Sequence, residues 1–111
     1  MSVTVTDHTA GALVAIDGRL DAHSVPEARE QLDGCIASGT SRLVVDLSGV
    51  SFLDSAGLAM LVTVLKRARQ AGGDVKLVWP TSENTQRILR LTRFDRVFEI
   101  ENTAEQALAQ L

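Results

Sequence analysis

Four consecutive residues, Asp54, Ser55, Ala56 and Gly57, set an acid and a hydroxyl beside two small side chains, between the apolar run Leu43 to Leu47 and a segment with helical periodicity. A carboxylate next to a hydroxyl can cap a helix, form part of a nucleophilic site, or present a hydroxyl for modification by another enzyme. The cap requires only one of them, Asp54 or Ser55, to accept a hydrogen bond from a backbone N–H that the helix cannot satisfy. The other is then displayed at the helix start, where the macrodipole favours negative charge by about 0.3 to 1 kcal/mol. A phosphate placed there is tolerated by the fold. Ala56 and Gly57 leave room for another protein to approach, and equally for a helix to pack on a sheet.

The other chemistries are poorly supported. D-S-A-G lacks the first glycine of the nucleophile elbow, and His8 and His23, the only bases of that type, both read as solvent-facing, so no catalytic residue is assigned and no enzyme is expected. Asp21, Asp46 and Asp54 are too scattered to predict a metal site, and no phosphate-cradling glycine motif is present, so no cofactor is expected. A net charge of -3 argues against direct binding to nucleic acid or an anionic membrane, and Phe52, Trp79, Phe94 and Phe98 read as core. No apolar stretch approaches the roughly 20 residues of a membrane span. The lone Cys35 excludes an intramolecular disulfide and reads as one position of a buried helix stripe. With no signal peptide in M-S-V-T-V-T-D-H, the expected compartment is the cytoplasm.

The positioning elements follow from periodicity. Val3 and Val5 alternate with threonines and Ala12 to Ile16 resume after a turn, predicting two strands, the second closed by Asp17-Gly18. Ser24 and Glu27 have capping-box spacing ahead of a helix from Val25, with Val25, Ala28, Leu32, Cys35 and Ile36 inward and Gly39 as its stop. Arg42 to Leu47 reads as a strand covered on both faces, ended by Ser48-Gly49. Leu58, Leu61, Val62, Leu65 and Ala68 make the next helical stripe up to Gly72-Gly73, and Val75 to Trp79 a further strand. A third helix over Ser82 to Thr92, a short strand over Val97 to Ile100 and a closing helix over Thr103 to Leu111 complete the pattern. The fold class is α/β, one domain over residues 1–111, with a mixed, mainly parallel sheet of four to five strands and about four helices.

These residues resemble the bacterial STAS-domain anti-sigma-factor antagonists. The matching stretches are G-R-L-D (Gly18 to Asp21), L-V-V-D-L followed by S-G-V-S-F-L-D-S-A-G-L (Ser48 to Leu58), G-G-D-V-K-L-V (Gly72 to Val78), and Leu89 to Ile100. The resemblance implies that Ser55 is the phosphoacceptor of a partner that is both anti-sigma factor and serine kinase. It also implies that Asp54 is the acidic neighbour of that serine and Asp21 an acid near the same surface. With Ala56 and Gly57, whose small size lets a partner approach, the expected partner-binding residues are Asp21, Asp54, Ser55, Ala56 and Gly57. In such proteins the unphosphorylated form binds the anti-sigma factor and frees the sigma factor, phosphorylation prevents binding, and a serine phosphatase restores it. Within the motif, Ala56 replaces a hydroxyl residue and Ala59 a glycine found in many members. The resemblance leaves two rival readings: a STAS adaptor in another signalling or transport complex, with Ser55 only a cap, and a nucleotide- or anion-binding module. A free monomer is expected.

Overall fold

The computed structural model describes residues 1–111. The elements run β1 (Ser2–His8), β2 (Gly11–Leu20), α1 (Val25–Ala37), β3 (Arg42–Leu53), α2 (Ser55–Gln70), β4 (Asp74–Val78), α3 (Glu83–Leu91), α4 (Phe94–Val97), β5 (Glu99–Glu101) and α5 (Ala104–Ala109). The sheet order is β1-β2-β3-β4-β5, with β1 antiparallel to β2 and the other three pairs parallel. Each parallel crossover steps to the next strand in one direction, and such crossovers are right-handed. That rule places α1, α2 and α3 on one face.

The core follows. Ala12, Val14 and Ile16 of β2, Leu43, Val45 and Leu47 of β3, and Val75 and Leu77 of β4 pack with Ala28 and Leu32 of α1, Leu61, Val64 and Leu65 of α2, and Leu89 of α3. On the opposite face only the short α5 covers the sheet, with Ala107 against Val44 and Val78. Arg67 on α2 holds Asp33 on α1 at 2.7 Å, fastening the two long helices at their exposed edge.

Several boundaries differ from the sequence expectations. Both β2 and β3 run past the glycine pairs expected to end them, β2 to Leu20 and β3 to Leu53. The register slips twice: Ala15 pairs with Asp46 but Asp17 with Gly49, and Gly18 pairs with Val50 but Arg19 with Phe52. Each slip inserts one extra residue into β3, so these glycines mark bulges within continuous strands. Gly49 faces Asp17 so closely that a Cβ there would fall on its carboxylate, and Gly18 adopts φ +92°. Ser24 precedes α1 without a side-chain cap bond, so the expected capping box does not form. Its hydroxyl instead accepts the Asp21 N–H (3.0 Å) and donates to the Arg19 carbonyl (2.7 Å). The additional helix α4 is a single turn that begins after Arg93, whose φ of 60° breaks α3 from it.

Phe52 is not core. Inward positions on the bulged part of β3 fall to Val50 and Leu53, leaving Ser51 and Phe52 outside, and Phe52 is 37% exposed. Phe94 and Phe98 are buried and stacked at 5.5 Å.

Candidate functional site

The two extended strands deliver Leu20 and Leu53 side by side, so the loop into α1 and the start of α2 lie next to each other at the carboxyl end of the parallel strands. Asp54 is extended (φ -111°, ψ -175°) and caps α2, its Oδ1 accepting the Gly57 N–H at 3.0 Å. Its Oδ2 accepts the Ala22 N–H at 3.1 Å, and its own N–H donates to the Leu20 carbonyl. One carboxylate therefore ties the α2 start to the β2–α1 loop. Because Asp54 takes the cap, Ser55 becomes the first helical residue; it is exposed and its hydroxyl makes no hydrogen bond within the chain.

Gly57 is buried beneath this turn. A Cβ there would lie 2.7 Å from both the Leu20 carbonyl oxygen and Leu53 Cδ1, so glycine is what lets the first turn of α2 rest on the end of β2. Ala56 is half-buried beside it. Gly57 positions the site from below, and Ala56 and Ser55 form its outer surface.

Asp21 closes the β2–α1 turn. Its Oδ1 accepts the N–H groups of His23 and Ser24, each at 3.1 Å, and its Oδ2 meets Arg19 Nε at 3.4 Å. The Ser24 N–H above all, helped by Arg19 and the His23 N–H and opposed by desolvation, holds the Asp21 carboxyl below its ordinary value of 3.8. It is ionised at neutral pH.

The structure thus brings Asp21, Asp54, Ser55, Ala56 and Gly57 around one edge, and it leaves Asp46 elsewhere, accepting the Ser48 N–H. No group of three His, Cys, Asp or Glu side chains comes together to hold a metal. Two neighbours were not anticipated: Arg19, and Phe52 beneath its guanidinium at 4.0 Å from the ring centroid. Strand alternation puts Arg19 and Asp21 on one side, which was the available signal. The Ala22 N–H that anchors Asp54 carries no side-chain signature at all. Two shallow depressions of about 390 and 470 Å³ mark the surface, and neither includes Asp21, Asp54 or Ser55. Ser55 stands on an open surface, accessible to a large partner.

Fold and site together define a small α/β module with a sequentially ordered mixed sheet that presents a capped helix start at its edge. The chain belongs to the STAS domain family, whose family model matches residues 1–107. It is similar to the anti-sigma-F factor antagonist RsfB of Mycobacterium tuberculosis, 32% identical over 109 residues that cover 97% of this chain and 87% of that protein. It is also similar to the anti-sigma-B factor antagonist of Staphylococcus aureus, 29% identical over 92 residues covering 83% and 84%. Among solved structures, an anti-sigma factor antagonist from Mycobacterium paratuberculosis matches with a TM-score of 0.88 at 28% identity, covering 98% of this chain and 92% of that one. No helix is long and apolar enough to cross a membrane.

Proposed function

We propose that the protein is an anti-sigma-factor antagonist, that its partner is an anti-sigma factor with serine kinase activity, and that phosphorylation of Ser55 switches their binding off. The observation that carries the reading is the division of roles at the α2 start. Asp54 supplies the whole cap, so the exposed Ser55 hydroxyl owes nothing to the fold. The antagonist relatives and their fold support the partner class.

The switch needs only local electrostatics. A phosphate brings about 1.5 to 2 negative charges, and the free N–H groups of the first turn and the helix dipole accommodate it in the unbound protein. At the docked surface the same charge lies beside the carboxylate of Asp54 and the nearby carboxylate of Asp21. Leaving it buried and unpaired there costs several kcal/mol, and roughly 3 kcal/mol weakens docking more than about a hundredfold. A serine phosphatase acting on phospho-Ser55 resets the system. The nucleotide belongs to the kinase, so this chain requires no cofactor.

The test is phosphate transfer from ATP by the cognate anti-sigma kinase. Ser55→Ala is expected to bind the kinase and accept no phosphate, whereas Ser55→Asp binds more than about tenfold more weakly. Equal phosphate incorporation into wild type and Ser55→Ala would sink the proposal.

A further inference from the structure

The segment from Arg87 to Val97 has an arginine at every third position, Arg87, Arg90, Arg93 and Arg96, and all four are exposed. Elsewhere in the chain five of the seven basic side chains sit in ion pairs, Arg19, Arg29, Arg67, Arg69 and Lys76. None of these four does. Four of the chain's 11 basic residues and one of its 14 acidic residues, Asp95, fall here, so the segment carries net +3 while the remainder, with seven basic against 13 acidic, carries net -6.

The same segment bears Leu91 and Val97, 75% and 46% exposed, the two most exposed large apolar side chains of the chain. They do not sit on a loose segment. Buried Leu89 and the bond from Thr85 Oγ1 to the Val50 carbonyl anchor α3, and the stacked Phe94 and Phe98 anchor α4. Arg90 lies over the Trp79 ring at 5.2 Å and donates to Gln86, so its guanidinium is already oriented.

We propose that the α3–α4 surface docks an acidic segment of a partner protein, one that sets carboxylates against the arginines and an apolar side chain against Leu91 and Val97. Charge complementarity selects this occupant. A planar guanidinium matches a carboxylate in a two-pronged pair that a lysine cannot make, and this surface uses arginine alone. Anionic bilayers and duplex nucleic acid also carry negative charge, but they extend well beyond the roughly 8 Å over which salt screens it. Either would face the net -6 remainder of the chain together with the arginines. A protein segment can touch the arginine surface and nothing else. The proposal does not rest on the Ser55 switch, because these residues lie outside the α2 start.

The test titrates a synthetic peptide of glutamates interspersed with leucines into the isotope-labelled full chain and follows the backbone amide resonances. Shifts are expected to concentrate on residues 83–98 and to weaken as salt rises. The same peptide with glutamine for glutamate is expected not to bind. The double variant Arg87→Gln with Arg96→Gln should bind about tenfold more weakly at an unchanged melting temperature, and Leu91→Ser severalfold more weakly with the salt dependence retained. Shifts elsewhere on the surface, equal binding by the glutamine peptide, or equal binding by both variants would each overturn the proposal. So would perturbation of these residues by phosphatidylserine vesicles or duplex DNA when the peptide causes none.

Discussion

At the start of α2 the charged groups face the fold: both oxygens of Asp54 accept backbone N–H groups, and Asp21 does the same for the turn that enters α1. Along α3, α4 and the turn between them four guanidinium groups face solvent and none of them forms an ion pair. A carboxylate bonded to backbone N–H groups is part of the folding free energy and fixes where its neighbours sit. An exposed, unpaired guanidinium contributes little to folding and keeps its binding capacity for another molecule. The two surfaces therefore predict separable mutational signatures, loss of stability at the first and loss of an external contact at the second.

The largest effect is expected at Gly57. Gly57→Leu forces a Cβ to within 2.7 Å of the Leu20 carbonyl oxygen and Leu53 Cδ1, and overpacking of this kind costs about 3 kcal/mol. For a domain of this size that lowers the melting temperature by more than about 10 °C. Gly34, within α1, meets nothing within 4 Å of a Cβ, so Gly34→Ala is expected to stabilise by about 0.5 to 1 kcal/mol. Calorimetric melting curves that ranked the two substitutions alike would break the contrast between a glycine required by close packing and one that is not.

Next comes Asp54→Ala, which removes the α2 cap and the anchor on Ala22 together. The cap is worth about 1 kcal/mol and the second, charge-assisted bond a similar amount, so urea unfolding should show a loss of about 2 kcal/mol. Asp54→Asn keeps a capping oxygen and should recover about half. Amide exchange at Ala22 should quicken in the alanine variant, which reads the anchor separately from the cap. By comparison Arg87→Gln is expected to stay within about 0.5 kcal/mol of wild type. If Asp54→Ala were equally silent, the inward and outward uses of charge would not differ.

Much of this arrangement was legible in the sequence, and the misses along β2, β3 and the α2 start share one cause. The strand and helix alternation, the single domain, the Ser55–Gln70 helix and the cap at its start all follow from local periodicity and turn chemistry. The choice between Asp54 and Ser55 as cap did not, because both side chains can accept the same bond and only the approach of β2 decides between them. Asp17-Gly18 and Ser48-Gly49 carry turn residues, yet they face each other across a parallel pair, where they make bulges instead of ends. Long-range pairing overrode the local signal at both. The same pairing extends the strands to the site and turns Phe52 outward under Arg19.

The smallest effect is the most local one, the titration of Asp21. Its folded-state pKa lies below the ordinary aspartate value, chiefly through the Ser24 N–H and with help from Arg19. A depressed carboxylate stabilises the fold fully above its unfolded pKa, near 3.8, and loses that contribution as pH falls through the lower folded value. The effect is thus confined to acid conditions and absent at neutral pH. Carboxyl-carbon NMR should place the Asp21 midpoint below the ordinary aspartate value of 3.8. Arg19→Gln should move that midpoint part of the way back, since it removes the ion pair and leaves the backbone N–H groups in place. Asp21→Asn should flatten the acid limb of stability against pH while leaving the Asp54 cap intact. A midpoint at the ordinary value, with the turn still folded, would mean that the Ser24 and His23 N–H groups do not hold the carboxylate in solution, and Asp21 would then share the outward-facing character of the arginines on α3 and α4.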